Sequence, residues 1–151
     1  MKKITIEQCQ DFDVNNFISN IRDADKKEAY AIGLSDIENA VSDTVHDAYI
    51  SLVARDSEGR ILCVFGVSSS IHKEYGRGIW LLGTNILNGY HKEFVYYSKI
   101  IIKELLKNNG RLYNYISVDN KMSVRWLKKL GAKFSAPVKI NGNDFMLFII
   151  E

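Results

Sequence analysis

Little in this chain marks a specialised class of protein. It has two cysteines, Cys9 and Cys63, in 151 residues, too few for a disulfide framework, so a reducing compartment is expected. Its three histidines, His46, His72 and His91, are scattered with no metal-ligand spacing among themselves or with the cysteines, so no metal site is expected. No apolar run is long enough to span a bilayer. The opening Met1-Lys2-Lys3-Ile4-Thr5-Ile6 alternates polar and apolar residues and runs on into charge, so no secretory leader is expected there. A net charge of +2 gives no push towards nucleic acid. The aromatics between Tyr90 and Tyr97, with Lys92 and Lys99, have helical spacing and read as a core face beside a solvated face, not as a base-stacking surface. Repeats and low-complexity segments are absent.

What is present is an ordinary globular composition, 46% hydrophobic and 25% charged, at a length that suits one domain, 1–151. Lys3 to Cys9 reads as a strand. Asp11 to Ile32 reads as one helix with Asp11 or Asp13 at its start and Gly33 at its end, followed by a short helix capped by Ser35. Asp47–Ala54 and Ile61–Val67 form a hairpin around a polar turn, and Ser68 to Arg77 reads as a loop. The wholly apolar Ile79–Leu82 suits a central strand covered on both faces.

The stretch from Trp80 to Phe134 is the most informative. A strand is followed by a long amphipathic helix, Lys92–Lys107, with Phe94, Val95, Tyr97, Ile101, Ile102, Leu105 and Leu106 on one face. A second strand, Leu112–Val118, and a helix, Asn120–Leu130, come next. Val138–Ile140 and Phe145–Ile150 close the chain as a hairpin around Asn141-Gly142. Two parallel strands joined by a helix leave a crevice at their carboxyl ends, where α/β proteins bind ligands. The fold class is therefore α/β, a mixed and mostly antiparallel sheet of six or seven strands with helices on both faces.

Several residues border that crevice. Gly83-Thr84-Asn85 reads either as the splayed end of the central strand, with an N–H free to polarise a carbonyl, or as an ordinary turn. Asp119-Asn120 closes the crevice, caps the last helix, or does both. Arg22, Asp23, Asp25 and Glu28 read as a solvated helix face, with Asp25 or Glu28 reaching the crevice as a base for an amine as the alternative. Arg125-Trp126 reads as a packed Trp with a snorkelling Arg, or as a contact patch.

The order of elements resembles that of GNAT-type acyl-CoA N-acyltransferases, and Asn120, Ser123, Val124, Leu130 and Gly131 fall where that superfamily places similar residues. A narrower resemblance covers nearly the whole chain. It is to a bacteriophage family named after an internal virion protein of short-tailed coliphages. Arg22-Asp23-Ala24-Asp25, Phe65-Gly66-Val67, Trp80-Leu81-Leu82-Gly83-Thr84, Asn114-Tyr115 and Ser123-Val124-Arg125-Trp126-Leu127 carry it. The resemblances imply acetyl-CoA as cofactor if the site is active, and none otherwise. They place Gly83, Thr84, Asn85, Gly89 and Asn120 at the cofactor, and Glu28, Asp25 and Tyr115 in catalysis. They also imply phage or host proteins as partners, and the host cytoplasm or the virion as location.

Two departures from working enzymes stand out. The superfamily's Gln/Arg-x-x-Gly-x-Gly/Ala loop, which holds the pyrophosphate on backbone N–H groups, is replaced by Gly83-Thr84-Asn85-Ile86-Leu87-Asn88-Gly89-Tyr90-His91. The usual proton-donating Tyr is replaced by Leu127, leaving Tyr113 or Tyr115 to substitute if either faces the crevice. The expectation is thus a phage accessory protein with a degenerate site, or an active N-acetyltransferase with a divergent loop. An open crevice with free N–H groups at residues 88 to 92 favours the second; a crevice filled by Leu, Ile and Tyr favours the first.

Overall fold

The computed structural model describes residues 1–151. In chain order the elements are β1 (Thr5–Gln8), α1 (Asp11–Ile18), α2 (Asp23–Ala31), α3 (Ile37–Asp47), β2 (Ala48–Arg55), β3 (Ile61–His72), β4 (Gly76–Gly83), a 3-10 turn (Asn85–Gly89), α4 (His91–Asn109), β5 (Leu112–Ser117), α5 (Lys121–Lys129), β6 (Lys133–Phe134), β7 (Val138–Ile140) and β8 (Asn143–Ile150). The strands form one sheet in the order β1-β2-β3-β4-β5-β8-β6, with β7 also on β8. Only β4 and β5 are parallel, and α4 makes the crossover between them.

Helices cover both faces. On one, Val14 and Phe17 of α1 and Val41 and Val45 of α3 pack on Val53 and Val64 of the sheet. On the other, Ile102 and Leu105 of α4 and Leu127 of α5 pack on Leu112, Ile116 and Phe148. The stripe read from the sequence of α4 is this buried face. Asp13, wholly buried at the start of α1, accepts from the Gln10 N–H (2.9 Å) and pairs with the Arg55 guanidinium.

Five readings change. The single helix over Asp11–Ile32 is two, because Ile21 forms a bridge with Thr84 and the Arg22 N–H donates to the Gly83 carbonyl (2.8 Å). Pairing with the end of β4 thus replaces a helical turn that local propensity favoured. Gln10 and Asp36 take the cap positions expected of Asp11 or Asp13 and of Ser35, and Asp36 accepts from the Asn39 N–H. Asp47 ends α3 and does not open β2. The loop expected over Ser68–Arg77 is mostly hairpin: β3 continues to His72 and β4 starts at Gly76, with a register shift between Val67 and Ile71. The sheet also gains β6, giving eight strands.

Gly76 has φ +92°, and a Cβ there would lie 2.1 Å from the Arg111 carbonyl oxygen. That carbonyl receives the Arg77 N–H (3.0 Å) where β4 begins to pair with β5. Gly76→Ala is expected to lose about 1–2 kcal/mol from the backbone conformation alone, and more from the displaced carbonyl. Urea unfolding of the two proteins measures this; an unchanged midpoint contradicts it.

Candidate active site

Parallel pairing between β4 and β5 stops after Arg77–Leu112 and Gly78–Tyr113. Beyond that the strands splay. The Asn114 side chain replaces the missing ladder, donating to the Ile79 carbonyl (2.7 Å) and accepting its neighbour's Tyr115 N–H (2.7 Å).

Helix α2 bridges the open ends. The 25/28 spacing puts two carboxylates on one helical face. Asp25 accepts from the Gly83 N–H (2.7 Å) at the end of β4 and from Arg22 through Nε and Nη2 (both 3.1 Å). Glu28 accepts from the Ser117 N–H (2.6 Å) at the end of β5 and from the Asn120 amide (3.3 Å). A Cβ at Gly83 would sit 2.6 Å from Arg22 Nε, so any larger residue there displaces the guanidinium. The solvated face read for this segment is corrected: Asp25 is buried, and both carboxylates serve strand ends that have no other acceptor.

Burial pushes the Glu28 carboxyl above the ordinary carboxylate range, against the pull of the Ser117 and Asn120 hydrogen bonds. In the window above the ordinary value the folded state holds more protons at Glu28 than the unfolded state does, so this group's contribution falls as pH rises through its raised pKa. Glu28→Gln is expected to flatten that part of the stability–pH curve; thermal melts from pH 4 to 8 report it, and identical curves for the two proteins contradict it.

Between α4 and α5 lies a cleft of about 810 Å³. Lys92 and Lys99 from α4, Arg125 and Lys129 from α5, and Arg22 line it, and no carboxylate does. Apart from Arg22, none of these cations is in an ion pair. The nineteen-residue α4 begins at this cleft, and Phe94 is its first residue whose N–H meets a carbonyl at its start, that of Tyr90 (2.8 Å). The N–H groups of His91 and Lys92 ahead of it have no protein acceptor, so a helix N-terminus and four unpaired cations converge on one space. Glu93 turns away, towards the Lys2 backbone N–H (3.0 Å). Trp126 packs on Phe94 (ring centroids 4.9 Å apart) at the inner wall, and its buried indole N–H has no partner. An anionic ligand with amide carbonyls along an arm, such as coenzyme A, fits this set of donors.

The sequence-derived candidates divide. Asp25, Glu28, Gly83 and Asn120 meet at the splayed strand ends. Asn120 also caps α5 through the Ser123 N–H (3.3 Å), so both readings of it hold structurally. Tyr115 lines the apolar cavity inside the splay, whereas Tyr113 stands with Tyr75 (5.5 Å) and His72 (5.7 Å) elsewhere. Leu127 is buried. None of the five residues expected at the cofactor, Gly83, Thr84, Asn85, Gly89 and Asn120, lines the cleft. The Thr84 hydroxyl donates to the Ile61 carbonyl (2.8 Å), Asn85 faces a groove beside Arg55 and Arg60, and the Gly89 carbonyl accepts from Lys2 Nζ (2.9 Å). Neither N–H expected to polarise a carbonyl is free, since Gly83 donates to Asp25 and Thr84 to the Leu62 carbonyl (2.9 Å). In sequence Lys92 and Lys99 read as a solvated face and Arg125 as a snorkelling side chain or contact patch, and Lys129 is not singled out; their i, i+7 and i, i+4 spacing on the two helices either side of β5 is the available signal.

The fold is that of known acetyltransferases. The aminoglycoside N(6')acetyltransferase of Legionella pneumophila superposes with a TM-score of 0.74 at 13% identity, over 99% of this chain and 92% of that one. Spermidine N-acetyltransferase from Vibrio cholerae, solved with CoA and spermine, gives 0.69 at 15% identity, over 97% and 94%. At such identities the likeness establishes the GNAT-like fold and not the chemistry. No curated protein matches the chain by sequence. A family model does match, over residues 58–137, which run from the β2–β3 turn through β6 to the residue before β7 and cover more than half of the chain. On that match, the chain belongs to the family described as "Bacteriophage T7, probable scaffold protein Gp13".

Proposed function

We propose that residues 1–151 act as one domain that binds a coenzyme A thioester, acetyl-CoA in the simplest case, in the α4–α5 cleft, and passes its acyl group to a small-molecule or protein amine. The observation that carries this is the meeting of four unpaired cations with the free N-terminus of α4, beside a splayed pair of strands. When bound, the thioester supplies the acyl group: the amine nitrogen forms the new C–N bond, the C–S bond breaks, and its electron pair leaves on sulfur. Lys92, Lys99, Arg125 and Lys129 would hold the phosphates, with the His91 and Lys92 N–H groups donating to them. Trp126 Nε1 would donate to an amide of the pantetheine arm. Glu28, with its raised pKa, takes the proton that the amine gives up. Tyr115, on the cavity wall, would protonate the departing sulfur, a role closed to Leu127. Asp25 is a positioning residue, fixing Gly83 and Arg22.

A second reading has its own support. The family's description, the engaged Gly83 N–H and Leu127 favour a degenerate site whose surface serves phage or host proteins, in the host cytoplasm or the virion. Thiol release from acetyl-CoA with a panel of amines separates the two. The first reading expects amine-dependent release that falls about 10²–10⁴-fold in Glu28→Gln. Binding of the coenzyme without release for any amine turns the assignment to the second.

A further inference from the structure

We infer that the acyl group this protein takes is longer than acetyl, and that the cavity under α4 is its chain pocket. The inference rests on reading the α4–α5 cleft as the coenzyme's site. Cavity and cleft adjoin, since Leu81, Leu87, Phe94, Ser123 and Trp126 line both. From that shared wall the cavity extends to Leu62, Cys63 and Phe65 on β3. It measures about 170 Å³, and its lining is apolar apart from Ser98, Asn114, Ser123 and the tyrosines Tyr97 and Tyr115.

An apolar cavity of about 150 Å³ stays dry and accepts benzene. This one is similar in size and mostly apolar, so any water in it is weakly held and readily displaced by an apolar group. An acetyl methyl would leave most of it empty, and the packed side chains around a void lose dispersion contacts on that side. A chain of about six carbons, matched to benzene, fills it. The polar lining offers no competing occupant. The Ser98 hydroxyl donates to the Phe94 carbonyl within its own helix, and the Asn114 amide is committed to Ile79 and Tyr115. Burial pushes the Cys63 thiol up to about 12, so no thiolate stands ready to attack the chain. An anionic head in the cleft with an apolar tail of this length in the cavity is a medium-chain acyl thioester of coenzyme A.

The test is calorimetric titration of the intact chain with coenzyme A, acetyl-CoA and hexanoyl-CoA, in the wild type and in Ser98→Phe, whose ring projects into the cavity from a residue that does not line the cleft. Each buried methylene strengthens binding, so hexanoyl-CoA is expected to bind at least about tenfold tighter than acetyl-CoA in the wild type. Ser98→Phe is expected to remove that preference while affinity for coenzyme A holds. Equal affinity for the two thioesters in the wild type overturns the inference and leaves the coenzyme site standing, whether or not the variant folds. A folded Ser98→Phe that keeps the preference places the chain elsewhere and also overturns it. Absence of binding by all three ligands removes the coenzyme reading and the inference with it.

Discussion

Reversing Lys92 and Arg125 together is expected to weaken coenzyme A binding at least a hundredfold with little change in stability. The two residues line the cleft from α4 and α5, and neither is paired with a carboxylate. A hydrogen bond to a charged group contributes roughly 1.5–3 kcal/mol, so losing two costs about 3–6 kcal/mol before the repulsion from the new carboxylates is added. Folding loses little, because unpaired cations on exposed helix edges contribute almost nothing to it. The expected signature is a hundredfold or greater rise in Kd for Lys92→Glu/Arg125→Glu with a melting temperature within a few degrees of wild type. A double variant that binds as the parent does removes the cleft from the account.

Asp25→Ala is expected to lose about 3–5 kcal/mol of stability, a large part of the 5–15 kcal/mol that typical domains possess. Its carboxylate is the partner of both the Gly83 N–H and the Arg22 guanidinium, and the Arg22 and Asp25 side chains are only 15% and 6% exposed. Removing it leaves a cation and a backbone donor together without an acceptor. The loss is not a cavity effect: Asp25→Asn keeps the volume and one acceptor oxygen for Gly83, and is expected to recover part of the stability while still lacking the charge for Arg22. Urea unfolding of the three proteins reads the series. A loss below about 1 kcal/mol in Asp25→Ala would mean that α2 does not hold the splayed strands as described.

The fold was legible where one residue pattern served one local period. The stripe of α4, the short apolar strand before it and the Asn141-Gly142 turn, both at positive φ, all stand where their residue types alone require. It was illegible where distant backbone decided. Nothing between Ser19 and Arg22 breaks a helix by itself; the end of β4 does so by pairing there. The exposed Ser68–His72 stretch has no alternation to mark it as strand, since neither of its faces is buried.

The site divides in the same way. That Asp25 and Glu28 share a helix face follows from their spacing. That they turn inward depends on Gly83 and Ser117, whose N–H groups are left without a ladder partner by the splay and leave no trace in residue identity. The cationic wall of the cleft is split between two helices separated by β5, so no local window contains it. The superfamily's glycine loop is absent from the sequence, and the N–H groups at the start of α4 are the donors proposed in its place.

The most direct test of the cleft is a calorimetric titration of the unmodified protein with coenzyme A at low and moderate salt. Saturable micromolar binding that weakens as salt rises is predicted, because phosphates held by partly exposed cations are screened. No heat up to millimolar coenzyme A at either salt would contradict the account, and would leave a GNAT-like fold kept for contacts with other proteins.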